Sequence, residues 1–352
     1  MAYEDAMAAL RLDMPDRVPR TEYSAEGHWP LVRAVTGIDV TPDSPAGLQA
    51  KAAAAFRKAW DYGFIWNVLV TGSVFGAHRT TMGHAVYADG GVDFDTGVRA
   101  LYDDPEEAFR WDPFALYPLP SRSGIARAFS DHLAAANEAN PGILNMTGTY
   151  VTCLSGLIDI FGWQTLLEMA GTDEDRFGDL ATRYADWFLH YFEGLADSDA
   201  PVVMVHDDIV WTEGAFLPPA WYRRYLFPAY KRYFAPLREA GKIILYTSDG
   251  NYTEFIHDIA DCGVHGFVME PVTDMALVAE HYGRTHAFVG NADTRILLSG
   301  TREEIEAEVR RCMDIGKACP GFFMAVGNHI PANTPADSVL YYMDCYEELA
   351  RR

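Results

Sequence analysis

Ile243-Ile244-Leu245-Tyr246-Thr247-Ser248-Asp249-Gly250-Asn251 changes character halfway along its length. An apolar run gives way to two hydroxyls, a carboxylate, a glycine and an amide. A short apolar run stopped by Asp-Gly-Asn reads as a buried strand followed by a turn. A carboxylate at the C-terminal end of such a strand stands where α/β proteins place their chemistry. The figure recurs in both directions. Val202-Val203-Met204-Val205-His206 stops at Asp207-Asp208, Phe267-Val268-Met269 stops at Glu270-Pro271, and Phe322 to Val326 runs into Gly327-Asn328-His329. Strands are expected near residues 18, 64, 143, 202, 243, 264, 286 and 322.

Helical patterns fill nearly every gap. Helices are predicted over 3–12, 44–62, 124–140, 173–197, 219–240, 252–262, 274–282 and 301–318. Thr301 with Glu304 makes a capping box for one of them. Thr334-Pro335 is expected to open the last helix, with threonine as N-cap and proline at the first helical position. Eight β-then-α units predict an α/β fold of the (β/α)8 TIM-barrel type, with residues 1–352 forming a single domain. Residues 71–120 keep no period and form a long excursion after the second strand, expected to cover something rather than add a repeat. A doubly wound open sheet would need a Gly-rich phosphate turn after an early strand, and the chain has no GxGxxG or P-loop.

Composition narrows the function. The 352 residues are 49% hydrophobic, enough for a large core, and carry a formal charge of −22. Such a field repels phosphate backbones and anionic lipid, so neither nucleic acid nor a membrane surface is an expected partner. No apolar run approaches a membrane span, and the first residues lack the basic and apolar regions of a signal peptide. Five cysteines without a CxxC pair point to reduced thiols in a cytoplasmic protein.

In a TIM barrel the strand ends converge on one mouth. That rule gathers Glu22, Asn67, Thr147, His206, Asp207, Asp208, Thr247, Asp249, Glu270, Asn291, Asp293, Asn328 and His329. Some have bland roles available. One of Asp207 and Asp208 is expected to cap the helix that follows, and Asn291 can close its turn. The acidity is the unusual part, because Asp208, Asp249, Glu270 and Asp293 lie on four successive strand ends. Crowded carboxylates raise one another's pKa or bind a cation, which suits a general acid or a metal site. Trp29, Trp66, Phe75, Tyr87, Tyr150 and Tyr246 lie at predicted strand ends and in the excursion. Most such rings belong to a core, but some could line a pocket for an uncharged organic substrate.

Several blocks resemble the uroporphyrinogen decarboxylase superfamily. They are Asp207-Asp208, Phe216-Leu217-Pro218-Pro219-Ala220-Trp221, Phe227-Pro228-Ala229-Tyr230-Lys231 and Ser248-Asp249-Gly250-Asn251. Gly290-Asn291-Ala292-Asp293, Leu298-Ser299-Gly300-Thr301, Gly327-Asn328-His329-Ile330-Pro331 and Thr334-Pro335 are similar as well, as is Asp16-Arg17-Val18-Pro19. The resemblance implies a TIM barrel and either a decarboxylase or a methyltransferase that works with a corrinoid protein. Decarboxylases of this superfamily have an Arg-rich N-terminal segment, where this chain reads Arg20-Thr21-Glu22-Tyr23, and a key aspartate where it has Asn67. The thiol-alkylating methyltransferases have a His-x-Cys…Cys zinc set, which falls here on Thr247, Asp249 and Asn328.

The resemblance therefore implies an enzyme of the O-demethylating branch. It would take a methyl group from a small methylated substrate, an aryl methyl ether foremost, and pass it to the cobamide of a partner corrinoid protein. Asp249, Glu270 and Asp208 are the expected catalytic residues. Glu22, Asn67, Tyr246, Asn291 and Asp293 are expected to bind substrate. Asp249, Glu270 and His329 are the candidate ligands for a metal such as zinc held by oxygen and nitrogen. The alternative is a decarboxylase or lyase acting on a smaller acid.

Overall fold

A computed structural model describes residues 2–81, 86–88, 91–93 and 98–352. Six strands pair in the order Phe322–Phe323, Ala287–Val289, Gly266–Met269, Ile243–Ser248, Val202–His206 and Thr147–Thr149. Every pairing among them is parallel. Leu144–Asn145, just before Thr147, pairs in parallel with Phe64–Ile65. The ring is completed at residue 20. Arg20 bridges Tyr62 on one side and Met324 on the other, both in parallel sense. Counting the extended segment around Arg20 as the first stave gives eight, at the eight predicted places. The fold is a (β/α)8 barrel.

Side-chain alternation divides the staves into two layers. Phe64, Leu144, Val202, Leu245, Val268, Val289 and Phe323 point into the lumen and form one apolar cluster. Their neighbours Ile65, Val203, Ile244, Tyr246, Phe267, Phe288 and Phe322 point outward under the helices. The lumen cluster also contains Ala6, Met7, Ala9 and Leu10 of the first helix, Ala2–Leu10. A Cβ on Gly63, just ahead of the second stave, would lie 3.2 Å from Ala6. This helix therefore plugs the end of the barrel opposite the polar strand ends.

Most helices stand where periodicity places them, among them Ala46–Ala59, Arg122–Ala139, Glu174–Ala196, Met275–Tyr282 and Arg302–Gly316. The capping box forms as expected: the Glu304 N–H donates to Thr301 Oγ1 at 3.2 Å, and the Thr301 N–H to the Glu304 carboxylate at 2.7 Å. The last helix differs by one residue. It spans Ala336–Leu349 with Pro335, at ψ 126°, as the N-cap, so Thr334 supplies no cap. Proline sits there because its φ suits the extended residue before the first turn as well as the turn itself. Trp29–Thr36, between the first two staves, is a helix outside the predicted set, with Pro30 tolerated at its second position, where no intrahelical N–H bond is lost.

The excursion holds a short hairpin, Val86–Ala88 with Gly91–Asp93, and the short helices Pro105–Ala108 and Pro113–Leu116. The side chain of Tyr87 lies outside the described residues. Trp111 and Tyr117 are buried against the Glu174–Ala196 helix, with ring centroids 6.2 Å from Tyr184 and 5.4 Å from Trp187. What this part of the excursion covers is therefore the outer helical wall. No helix among the described residues is long and apolar enough to cross a membrane.

Candidate active site

The two-residue period that fills the lower lumen continues upward and turns polar. Val202 and Met204 are followed on the same face by His206 and Asp208, Leu245 by Thr247 and Asp249, and Val268 by Glu270. Met204, His206, Thr247, Asp249, Val268 and Glu270 line a cavity of about 250 Å³ at the C-terminal mouth, and Asp208 contacts His206 and Asp249 beside it. Tyr23, Trp66, Asn67 and Tyr150 line it from the first three staves, and Asn328 and His329 from the eighth. The order of the staves sets an aromatic half, on one to three, against an acidic half on four to six.

Asp207 and Asp208 are adjacent but have opposite duties. Asp207 points outward and accepts the N–H groups of Cys153, Leu154 and Ser155 at 3.1, 3.2 and 2.7 Å. It thereby caps the Leu154–Thr172 helix, which precedes it in the chain rather than following it, and also accepts the Tyr230 hydroxyl at 2.6 Å. With Asp207 fixed, alternation sends Asp208 inward, where its carboxylate lies 3.2 Å from His206 Nε2. The other ring nitrogen, Nδ1, is 3.2 Å from the Tyr150 carbonyl, and the ring stacks on Tyr150 with centroids 3.7 Å apart. A carbonyl only accepts, so Nδ1 carries a proton and Nε2 faces the acids.

Asp249 hangs into the same space. Its backbone N–H donates to Asp208 at 3.0 Å. Asp249 lines the cavity, where the surrounding wall crowds it while its side chain keeps exposed surface. Enclosure, reinforced by the charges of Asp208 and Glu270, pushes its carboxyl up to about 7, although His206 and Asn328 pull the other way. For His206, burial favours the neutral ring, but the charge and hydrogen bond of Asp208, with Asp249 behind it, prevail and push the imidazole up to about 9. Glu270 is held by the Gly250 N–H at 2.8 Å and by the Asn328 amide. Gly250 can present that N–H because it adopts φ +83°, and a Cβ there would lie 2.7 Å from the Trp211 carbonyl.

The structure brings together Asp249, Glu270, Asp208, Asn67 and His329 of the predicted residues. Four others lie elsewhere. Glu22 is buried behind the wall, paired with Arg20 at 2.5 Å, with both side chains at most 1% exposed. Tyr246 points outward under the helices. Asn291 is buried beneath the mouth, donating to the carbonyls of Glu270 and Thr273. Asp293 caps the Thr294–Ser299 helix and is paired with Arg295 at 2.7 Å. For metal binding, the ligand atoms that lie within 4.8 Å of one another belong to His206, Asp208 and Asp249, a set that shares only Asp249 with the predicted one. His206, gathered among the strand ends but given no role, and Tyr23, not gathered at all, also line the cavity. Only the strand-end position of His206 hinted at its role. Of the remaining candidate rings, Phe75 packs on Tyr117 and Trp187 in the outer wall.

A closed parallel barrel with acids gathered at the C-terminal mouth defines a TIM-barrel protein with an enzyme-like site. Residues 138–349 match the model of the uroporphyrinogen decarboxylase (URO-D) family, and the chain belongs to that family. The uroporphyrinogen decarboxylase of Syntrophotalea carbinolica is 26% identical over 177 residues, 50% of this chain and 50% of that protein. One from Thermus thermophilus is 28% identical over 171 residues, 49% and 48% of the two chains. The chain thus spans about half the length of the curated relatives it matches. Among solved structures, a methyltransferase from Methanosarcina mazei superposes with a TM-score of 0.65 at 17% identity, covering 99% of this chain and 98% of that one. At that identity the likeness is one of fold.

Proposed function

We propose that this protein is a methyltransferase that demethylates a small organic substrate, an aryl methyl ether foremost, and passes the methyl to the cobalt of a corrinoid protein. The observation that carries the reading is Asp249, a carboxyl held near pH 7 inside a cavity whose opposite wall is aromatic. The full-length likeness to a methyltransferase fold supports it. The reduced corrinoid of the partner supplies the nucleophile that takes the methyl carbon. Breaking the C–O bond leaves its electron pair on the aryl oxygen, and Asp249, protonated at neutral pH, donates the proton that makes the phenol. The Tyr150 and Trp66 rings hold the substrate in line. Asp208 and Glu270 keep the Asp249 proton in place.

A divalent cation would suit the same acids. His206 Nε2, Asp208 and Asp249 form a nitrogen-and-oxygen donor set, and the Tyr150 carbonyl fixes the histidine tautomer as in metal sites. Such a cation would polarise the leaving oxygen in place of a proton. All five cysteines are buried, and none lines the cavity. Metal analysis of purified protein and variants tests this. Metal lost in Asp208→Asn but kept in His329→Ala assigns it to the His206 set, and the reverse pattern assigns it to Asp249, Glu270 and His329.

Decarboxylation of a polyanionic acid is the weaker reading. Arg20, on the first stave, is sealed in its pair with Glu22 and stacked on Trp60, and among the described residues no lysine or arginine lines the cavity. The deciding experiment incubates the protein with 4-methoxyphenol and a reduced corrinoid protein. Formation of hydroquinone with stoichiometric methylation of the corrinoid is expected. Failure across a broad panel of methoxylated aromatics would sink the proposal, and carbon dioxide release from a small acid without cobalt would replace it.

A further inference from the structure

The cavity sets aromatic carbon on one side against carboxyl groups on the other. Tyr23 and Trp66 stack with ring centroids 5.2 Å apart and planes 12° from parallel, and both residues keep accessible surface. Their polar atoms, the Tyr23 hydroxyl and Trp66 Nε1, are buried. These side chains therefore meet a ligand with ring carbon. Tyr150 adds a third ring, already laid against the His206 imidazole. Across from them stand the carboxyl groups of Asp249 and Glu270, with Asp208 beside the cavity. His206 offsets one of these charges. Even with Asp249 protonated, Asp208 and Glu270 outnumber it, and no described lysine or arginine in the wall restores the balance.

A negative field walled by aromatic carbon suits one kind of ligand. An anion would enter against the field. A primary ammonium would be satisfied by the carboxylates and leave the rings unused. A cation whose charge is spread over methyl groups has no hydrogen to donate, and ring faces and carboxylates both attract it. We infer that the cavity takes a methylated ammonium ion, a second class of methyl donor beside the aryl ether. About 250 Å³ is the room of several waters at roughly 30 Å³ each, enough for such a head and a short tail. Methyl transfer from it balances without an acid. The C–N bond breaks with its electron pair left on nitrogen, the methyl passes to the partner's reduced cobalt, which is oxidised by two electrons, and a neutral tertiary amine departs. The role as donor rests on the methyl-transfer reading; recognition of the head does not.

Calorimetric titration at low ionic strength compares two probes, choline and 3,3-dimethylbutan-1-ol, in which carbon replaces the charged nitrogen and the shape is kept. Choline is expected to bind about tenfold more tightly, the worth of one or two cation–π contacts. Trp66→Leu and Glu270→Gln should each shrink that preference several-fold, and their retained binding of the neutral probe shows that they are folded. Equal affinity for the two probes, no binding of choline, or a preference that both substitutions leave intact overturns the inference, whatever methyl transfer the protein performs. With a reduced corrinoid protein present, choline should yield dimethylaminoethanol and methylated corrinoid. Choline bound but left intact while 4-methoxyphenol is demethylated would overturn its role as donor. A choline preference with no transfer from either compound would leave the ammonium site standing and remove the methyl-transfer reading.

Discussion

Asp249 and His206 titrate in opposite senses, and the difference can be measured. A carboxyl raised to about 7 remains a proton donor below that pH, so the methyl-transfer rate of metal-free protein should fall as pH rises through 7. Asp249→Asn should slow transfer by about 10²–10⁴-fold with KM little changed. A flat pH profile would remove Asp249 from the acid role. Stability carries the same signature. The folded protein retains the Asp249 proton between the ordinary aspartate value of 3.8 and about 7, so its contribution to stability declines across that window. The thermal midpoint of Asp249→Asn should exceed the wild type by a margin that grows to pH 7 and then levels. His206 works the other way. Its pair with Asp208 stabilises fully below 6.5 and is lost as pH rises through 9, so His206→Gln should flatten the stability curve there. Glu22, expected to touch substrate, is instead half of a buried ion pair. Glu22→Gln should lower stability by roughly 3 kcal/mol in urea denaturation, with probe binding per folded molecule unchanged.

The Val202–His206 strand and its acidic extension show what an element reveals and what it hides. Its existence and its polar end were plain in the sequence, because an apolar run stopping at two aspartates has few other readings. Which aspartate faces the cavity was not. Val202 to Val205 are apolar on both faces, since the barrel is buried inside and out, so alternation gives no phase to extend into Asp207 and Asp208. The same blindness placed Tyr246 in the cavity when its neighbours Leu245 and Thr247 hold the inward positions. Tyr23 was obscured differently. The first stave is an extended segment among prolines, without the apolar run that marks the others. Asp207 is tested at this scale. Asp207→Ala removes the cap from three N–H groups and leaves the Tyr230 hydroxyl bare, and should cost about 2 kcal/mol or more. Asp207→Asn should cost less, and equal losses in the two would mean that the cap contributes little.

Across the whole molecule, stability and chemistry occupy opposite ends of one lumen. Leu10, in the plug, is buried in the lower cluster, far along the barrel from the mouth. Leu10→Ala should lower stability by roughly 3 kcal/mol by opening a cavity there. Affinity for 4-methoxyphenol should not change, and a change would show that the plug communicates with the site. The barrel itself was legible because eight separate strand ends each announced themselves. How the ring closes was not, because closure depends on single bridges at Arg20 rather than on a run of paired residues.

That closure has a consequence for how the protein comes into being. The Val326 N–H that anchors Glu22 is 304 residues further along the chain, and the Tyr342 hydroxyl that joins it is 320 residues away. At synthesis rates of about 5–20 residues per second, the first stave waits roughly 15–60 seconds for the partners that seal it. Throughout that interval Arg20 and Glu22 emerge from the ribosome with nowhere to be buried together. The newborn chain is thus an open ring with two raw edges, and its first stave is a natural client for whatever shelters polypeptides during translation. Ribosome-bound chains stopped before Phe322 should be cut by protease around Arg20, and chains carried past Tyr346 should resist.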